Sequence, residues 1–370
     1  MRLLRNEWLA LGLAVTTCSP PPPDTAKEIP IAPEAGATSS QTVSTFAIQT
    51  LFVGEVPITG GMPSNAAWKA FGYNLDDLVT TETSTNVCVL GAGTPKINQI
   101  DGNDGIDNAW GSVVLPLIQS AVSLPAPSQD ATSFIKSGAW TLQVQVIGLS
   151  TDPNQTALGL DAQVFVSGAF GSVPAFDQTT DWPVLSSSLV DGATIAGGAL
   201  VHFSNVYVTG GTLVAQGASQ PLVVSLVIHD SGLSFCFSAS CADAGPPINP
   251  PIVASLPLRI HDATLTFVHA TPTTAAQGVI AGVLDPLELI DTFQSLVGLQ
   301  STLFCGQAFT PIAQQVEQAS DILQDGTNAS GVPCDGISIG IGFTAALVAN
   351  PTQVGVEPPP QPNPCDAGAD

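Results

Sequence analysis

The sequence predicts a mainly β fold, an antiparallel β-sandwich or jelly-roll-like domain that carries a C-terminal pair of helices. Short apolar runs recur along residues 140–284, and they are separated by clusters of Gly, Pro, Asn and Asp with no helical pattern between them. Beyond residue 284 the apolar spacing changes from two residues to nearly four, which indicates helices. We therefore expect one β-rich domain over residues 45–350, with the helical pair at residues 286–324.

The clearest strand covers residues 140–149, where Leu142, Val144 and Val146 alternate with polar residues. Such alternation buries one face of a strand and leaves the other face in water. Further strands are predicted at residues 158–167, 199–208, 222–229, 252–260, 263–269, 279–284 and 337–348.

The first helix is predicted to begin at Pro286, a residue that suits the first turn. Asp285 is the predicted N-cap, and Glu288 completes a capping box. We expect this helix to end near residue 304. Thr-Pro at the start of residues 310–323 predicts the second helix by the same reasoning.

The N-terminal segment predicts export. Arg2 and Arg5 precede an apolar run at residues 8–15, which spans only about 12 Å as a helix and is too short to cross a bilayer. We interpret residues 1–17 as a signal peptide and Cys18 as a lipidated cysteine, with plain secretion as the alternative. Residues 18–44 are rich in Pro, Ala, Ser and Thr and predict an extended tether, and residues 351–370 form a Pro-rich tail.

An even number of cysteines remains after Cys18, which favours disulfide bonds in an oxidising compartment. These cysteines are Cys88, Cys236, Cys241, Cys305, Cys334 and Cys365. Short separations favour Cys236–Cys241 as a local bridge and Cys305–Cys334 as a bridge around the second helix. Cys88 would then pair with Cys365, although the sequence leaves the other pairings open.

The charge balance excludes one class of partner. The chain has 30 Asp and Glu residues against 7 Lys and Arg residues, a net charge of −23 at pH 7. Such a surface repels polyanions, so we expect no nucleic acid and membrane contact only through the lipid anchor. The remaining candidate partners are a glycan or another envelope protein, and divalent cations are electrostatically favoured.

Residues 101–108 (DGNDGIDN) form the segment most typical of a metal site. Short oxygen-bearing side chains on a loop with glycines suit calcium, and the segment resembles thrombospondin type 3 and EF-hand loops, with its second Asp-Gly one residue early. The candidate calcium ligands are Asp101, Asn103, Asp104 and Asp107. An Asx-rich turn without an ion is the alternative interpretation.

The sequence contains no assembled catalytic set, so we predict a protein that is not an enzyme. Residues 336–340 match the G-x-S-x-G string around Ser338, but no histidine follows it and no helix is predicted after it, so Ser338 is interpreted as a strand residue. A hydrolase would instead need carboxylates in one cleft with one of the histidines, His202, His229, His261 or His269. A calcium-ordered glycan-binding jelly roll is the other alternative, with sugar rings stacked on Trp110, Trp140 or Trp182.

Four segments occur together: residues 68–76 (WKAFGYNLD), 104–111 (DGIDNAWG), 319–322 (ASDI) and 334–338 (CDGIS). This combination resembles a family of large, uncharacterised cell-surface lipoproteins of the myxobacterial type. The resemblance implies no activity and no functional residue, but it implies that the acidic loop and the helical pair belong to one module. The predicted function is that of an exported, lipid-anchored envelope protein with a non-catalytic binding or structural role at the outer membrane or cell surface.

Overall fold

The computed structural model describes residues 26–36, 42–90, 98–122, 126–228, 254–358, 361 and 363–366. Within these residues the strands are β1 (Val43–Phe52), β2 (Trp140–Ile147), β3 (Ala157–Leu158), β4 (Asp161–Gly168), β5 (Val184–Leu185), β6 (Val201–Thr209), β7 (Thr212–Ala218), β8 (Leu222–Ile228), β9 (Ala254–Thr271), β10 (Thr274–Leu284), β11 (Ile337–Val348) and β12 (Val354–Gly355). The α-helices of the same residues are α1 (Leu115–Val122), α2 (Pro127–Lys136), α3 (Pro286–Gln300) and α4 (Thr310–Glu317).

Eight of the strands form a closed antiparallel barrel. Their order around the barrel is β1, β2, β4, β6, β7, β9, β10 and β11. β11 returns to pair with β1 along most of its length, and the shorter pairing of β4 with β6 completes the ring. Closure gives every strand of the ring two neighbours, which removes the exposed sheet edges that an open sheet would have.

The predicted β-sandwich or jelly-roll-like domain is therefore wrong, although the β-rich character is confirmed. Alternation along β2 correctly indicates the buried apolar face, but the other face, predicted to lie in water, is buried at Thr141 and Gln143. The same alternation occurs in a sheet that packs on a second sheet and in a sheet that curls around its own side chains. The pairing of β1 with β11 distinguishes the two folds, and it joins opposite ends of the domain in a way that no local pattern records.

Apolar side chains fill the barrel. Phe46, Phe267 and Phe343 come from three different strands and are fully buried in one core. Helices extend this core at one end of the barrel, where α2 contacts β1 and α3 contacts β9. Ile135 of α2 and Phe293 of α3 join the same cluster of buried side chains. The interior of the barrel is therefore a packed core.

The helical pair differs from its predicted limits. α3 begins as predicted, because Asp285 accepts hydrogen bonds from the backbone N–H groups of Leu287 and Glu288. α4 ends at Glu317, earlier than the predicted residue 323. The chain leaves the helix there because Ile322 forms a β-bridge with Gly336.

Chain segments outside the barrel lie against its surface. The Lys27 N–H donates to the Asp104 carbonyl (2.7 Å), and the Tyr207 hydroxyl donates to the Pro30 carbonyl (2.6 Å). Residues 26–36, which the sequence assigns to the tether, are thus attached to the barrel. In the Pro-rich tail, β12 pairs in parallel with β5, and the Glu357 carboxylate accepts from the Ser187 N–H (2.6 Å).

Candidate functional site

The structure separates the four predicted calcium ligands into two pairs. Asn103 and Asp104 lie in an exposed 3-10 turn, where Asp104 has a φ of 55°. The Gly102 N–H donates to the Ile106 carbonyl (2.7 Å), which brings the ends of the loop together. The two remaining candidates lie at the closed base of the loop and are less exposed. Asp107 is 3% exposed, and Asp101 is partly buried.

Two carboxyl groups that were not predicted from the sequence, those of Asp76 and Asp321, lie beside this pair. We call Asp76, Asp101, Asp107 and Asp321 the acidic cluster, since each of them affects the ionisation of others. Every member accepts hydrogen bonds from the surrounding chain. The donors are Leu78 N–H (2.9 Å) and Asn328 Nδ2 (2.7 Å) to Asp76, Thr80 N–H (2.5 Å) to Asp101, Leu75 N–H (2.6 Å) to Asp107, and Ser338 N–H (2.8 Å) and Ser338 Oγ (2.5 Å) to Asp321.

Burial raises the pKa of all four carboxyl groups. Desolvation raises the pKa of Asp101 and that of Asp321 each to about 7, and repulsion between the carboxylates adds to the rise. The same two causes hold the pKa of Asp107 well above its ordinary value, and burial, with repulsion from the neighbouring Asp77, raises the pKa of Asp76. Within the described residues, the ion pairs formed by Lys, Arg and His do not involve these four groups.

Protons therefore neutralise part of the acidic cluster near pH 7. Asp101, whose pKa is raised to about 7, and Asp107, whose pKa is raised well above its ordinary value, are the members on the acidic loop that hold protons most readily. Among the described residues, no group of three or more His, Cys, Asp or Glu side chains is arranged to hold a metal ion. A calcium ion at this site would have to replace the protons, and calcium binding stays a prediction.

A disulfide bond lies next to the acidic cluster. Cys88 is bonded to Cys334, and the Cys88 Sγ is 3.4 Å from the Asp321 carbonyl oxygen. The predicted Cys305–Cys334 and Cys88–Cys365 bridges are both wrong. A β-bridge between Val89 and Pro333 aligns the two chain segments beside Cys88 and Cys334, so tertiary pairing overrides the short sequence separation on which the prediction rested.

The second disulfide bond joins Cys305 to Cys365 and attaches the tail to the end of α3. Cys236 and Cys241 lie outside the described residues, and so does Cys18, the residue predicted to be lipidated. Two disulfide bonds favour an oxidising, extracytoplasmic location. No helix in the described part of the chain has the length and apolar character needed to span a membrane.

Ser338 is a buried strand residue, as interpreted from the sequence. Its side chain is fully buried on β11, and its Oγ accepts from the Ala109 N–H (2.8 Å) while bonded to Asp321. The three tryptophans proposed for sugar stacking are buried too, since Trp110 and Trp182 are 0% exposed and Trp140 is 7% exposed. None of the three offers a flat, open ring to a glycan.

The described histidines make different contacts. His202 Nε2 is 2.8 Å from Asp161 Oδ1 at the surface, and the buried His269 has its Nε2 2.8 Å from the Ser150 carbonyl. His261 Nε2 is 3.1 Å from Glu288 Oε2, which also contacts Arg259 Nε at 3.4 Å. The remaining predicted candidate, His229, lies outside the described residues. His261 lines a surface cleft.

This cleft lies where the turn between β7 and β8 faces the start of α3, and its volume is about 190 Å³. We call it the polar cleft. Its polar lining consists of Ser219, Gln220, His261, Asp262, Asp285 and Gln324. Gln324 donates from Nε2 to Asp285 Oδ2 (3.0 Å), which fixes one wall. The cleft thus combines carboxylate, imidazole and amide groups in a concave, solvent-open site.

The fold and these two sites define a class of protein: a disulfide-bonded, side-chain-filled β-barrel that has helices packed at one end and its polar groups clustered on the outside. No protein-family model, curated protein or solved structure significantly matches the chain.

Proposed function

We propose that this chain is an exported protein that is anchored by a lipid at Cys18 to the outer membrane or cell surface. In this proposal the barrel serves as a non-catalytic binding or structural module of the envelope. The observation that carries the proposal is the N-terminal order of two arginines, an apolar run, Cys18 and a Pro-rich segment. The resemblance to myxobacterial-type lipoproteins agrees with it, and so does the presence of disulfide bonds.

The distribution of polar groups supports a binding or structural role over a catalytic one. Ser338, at the centre of the hydrolase-like string, is 0% exposed and bonded to Asp321. A nucleophile must reach its substrate, and the segments that carry Ala109 and Asp321 cover this hydroxyl. The groups that a ligand reaches lie outside the barrel, in the polar cleft and on the acidic loop at residues 101–108.

Acylation of Cys18 is the test. The full-length gene is expressed in its native cell with a radiolabelled fatty acid, and the N-terminal peptide is analysed by mass spectrometry. We expect wild-type protein to begin at Cys18, to carry acyl groups and to fractionate with membranes. The Cys18→Ser variant should lose the label and leave the membrane fraction.

The matched control is Ser19→Ala, which alters the neighbouring residue and keeps the thiol. This variant should be labelled as fully as wild type. An intact, unlabelled N-terminus with reduced cysteines in the native cell contradicts export altogether. A cleaved but unlabelled protein in the medium contradicts only the lipid anchor.

A further inference from the structure

A β-bulge in β9 builds one wall of the polar cleft. Ile260 and Ala263 are both fully buried in the barrel core. The two residues between them, His261 and Asp262, therefore both lie on the outer side of the strand. In the pairing with β10, His261 is opposite Val283 and Thr264 is opposite Ala281. The chain thus advances three residues along β9 and only two along β10. An extra residue in one strand is the definition of a bulge, and it re-aims side chains.

The bulge has two unusual features. Asp262 has a φ of 47° within a β-strand, a left-handed conformation that costs a side-chain-bearing residue free energy and that glycine adopts freely. Gly282 lies opposite, where a Cβ would approach the His261 carbonyl oxygen to 2.5 Å. Glycine is thus present at position 282, where the close approach of the two strands requires it. Position 262, where the backbone is strained, has an aspartate and not a glycine.

The groups around the bulge divide into fixed and free ones. His261 is held by Glu288, and the Asp285 carboxylate binds the N-terminal N–H groups of α3. The side chains of Asp262 and Gln220, by contrast, make no hydrogen bond within the described residues, and both line the cleft. Among these residues, the bulge therefore sets an unpaired carboxylate beside a fixed imidazole in a concave site, an arrangement suited to a small polar ligand.

Charge selects the class of ligand. Asp262, Asp285 and Glu288 outnumber the single cation Arg259 around the cleft. The net charge of −23 for the whole chain also attracts cations and repels anions. The N-terminal end of α3 would favour an anion, but Asp285 already accepts its N–H groups.

We propose that the polar cleft binds the ammonium group of a small amine, with the Asp262 carboxylate as its counter-charge. The inference extends the proposed role of the barrel as a binding module. A volume of about 190 Å³ admits an alkylamine of a few carbons, and Gln220 and His261 supply further hydrogen-bonding groups at the rim. Because acylation of Cys18 is measured separately, failure of the anchor and failure of the amine site are distinguishable.

The experiment titrates the full-length exported protein with 1,4-diaminobutane, followed by calorimetry and by the amide resonances of the cleft residues. We expect millimolar binding that weakens with added salt, and resonance shifts at Gln220, His261 and Asp262. The neutral diol of the same length, 1,4-butanediol, should bind at least about tenfold more weakly, because it carries no charge.

Two variants isolate the carboxylate. Asp262→Asn keeps a residue type that tolerates positive φ, and Asp262→Gly keeps the backbone conformation without any side chain. Both should remain folded and bind the diamine at least about tenfold more weakly, whereas Glu317→Gln, which removes an exposed charge from the end of α4, should bind as wild type does. The proposal is overturned if wild type shows no detectable binding of the diamine, or if both Asp262 variants bind the diamine as tightly as wild type does. It is also overturned if wild type binds the diol as tightly as the diamine. Tighter binding of calcium than of the diamine at the same residues also overturns it.

Discussion

The carboxyl group of Asp321 is partly buried and accepts two hydrogen bonds from one residue. It accepts from the backbone N–H and the hydroxyl of Ser338, and that hydroxyl in turn accepts from Ala109. These bonds join the segment after α4 to β11 and to the turn that leads into α1. Burial without a counter-cation disfavours the charged form, so a protonated carboxyl suits this position better than a carboxylate does.

Asp321 is one of the residues that make the stability depend on pH. The pKa of Asp321 is about 7 in the folded protein, against an ordinary value of 3.8. Between these values the folded state keeps a proton that the unfolded state has lost. The free energy of unfolding should therefore fall as pH rises from about 4 to about 7 and level off above that, by on the order of 4 kcal/mol for one such carboxyl.

Substitution separates Asp321 from the rest of the acidic cluster. Asp321→Asn mimics the protonated acid and keeps partners for Ser338. We therefore expect its free energy of unfolding, measured with urea, to fall less between pH 5 and pH 8 than that of wild type does. The variant should also be the more stable of the two at pH 8. Asp291→Asn, which changes an exposed carboxylate on α3, should keep the wild-type slope. Equal slopes for wild type and Asp321→Asn would contradict this assignment.

Sequence patterns predict those strands and helix ends that interactions between neighbouring residues determine. The alternation of β2 and β11 and the cap of α3 are readable because neighbouring residues fix them. The bulge at Asp262 breaks the alternation of β9, so the sequence predicts two strands, at residues 252–260 and 263–269, where the structure has one. α1 and α2 were not predicted, because each is short, with eight and ten residues, and is stabilised by packing more than by its own pattern.

The acidic loop can be tested as an element. Its calcium ligands were predicted from consecutive spacing, but the structure turns Asp101 and Asp107 inward and leaves Asp104 at the surface. If calcium binds, it must compete with protons in the acidic cluster. We expect millimolar calcium chloride to raise the melting temperature by a few degrees at pH 8 and by less at pH 5.5, since ligand binding to the folded state stabilises it.

Two isosteric variants distinguish the structural ligand set from the sequence-based one. Asp101→Asn should abolish the calcium effect, and Asp104→Asn should retain it, because only Asp101 belongs to the cluster. The reverse result would favour binding by the exposed loop. No rise in melting temperature for wild type at pH 8 would show that the calcium prediction is wrong.

At the scale of the whole molecule, the closed barrel brings together residues that are remote in sequence. The acidic cluster draws on residues 76, 101, 107 and 321, and the polar cleft combines the β7–β8 turn, β9 and the start of α3. Half of the acidic cluster could be predicted, because Asp101 and Asp107 share one loop. Asp76 and Asp321 carry no local signal, since they lie in separate segments between the strands and helices that only the tertiary fold brings together.

The two disulfide bonds act on this scale, and their loop lengths rank their effects. Cys88–Cys334 spans 246 residues and Cys305–Cys365 spans 60. In the chain-entropy model the longer loop stabilises the fold by about 1 kcal/mol more, and its removal also loosens the cover over the acidic cluster. We expect the double variant Cys88→Ser, Cys334→Ser to melt about 2–4 °C below the double variant Cys305→Ser, Cys365→Ser. Both variants exchange two cysteines for two serines, so each serves as the control for the other. A larger loss in the Cys305 and Cys365 variant would mean that attachment of the tail to α3 contributes more to stability than closure of the long loop does.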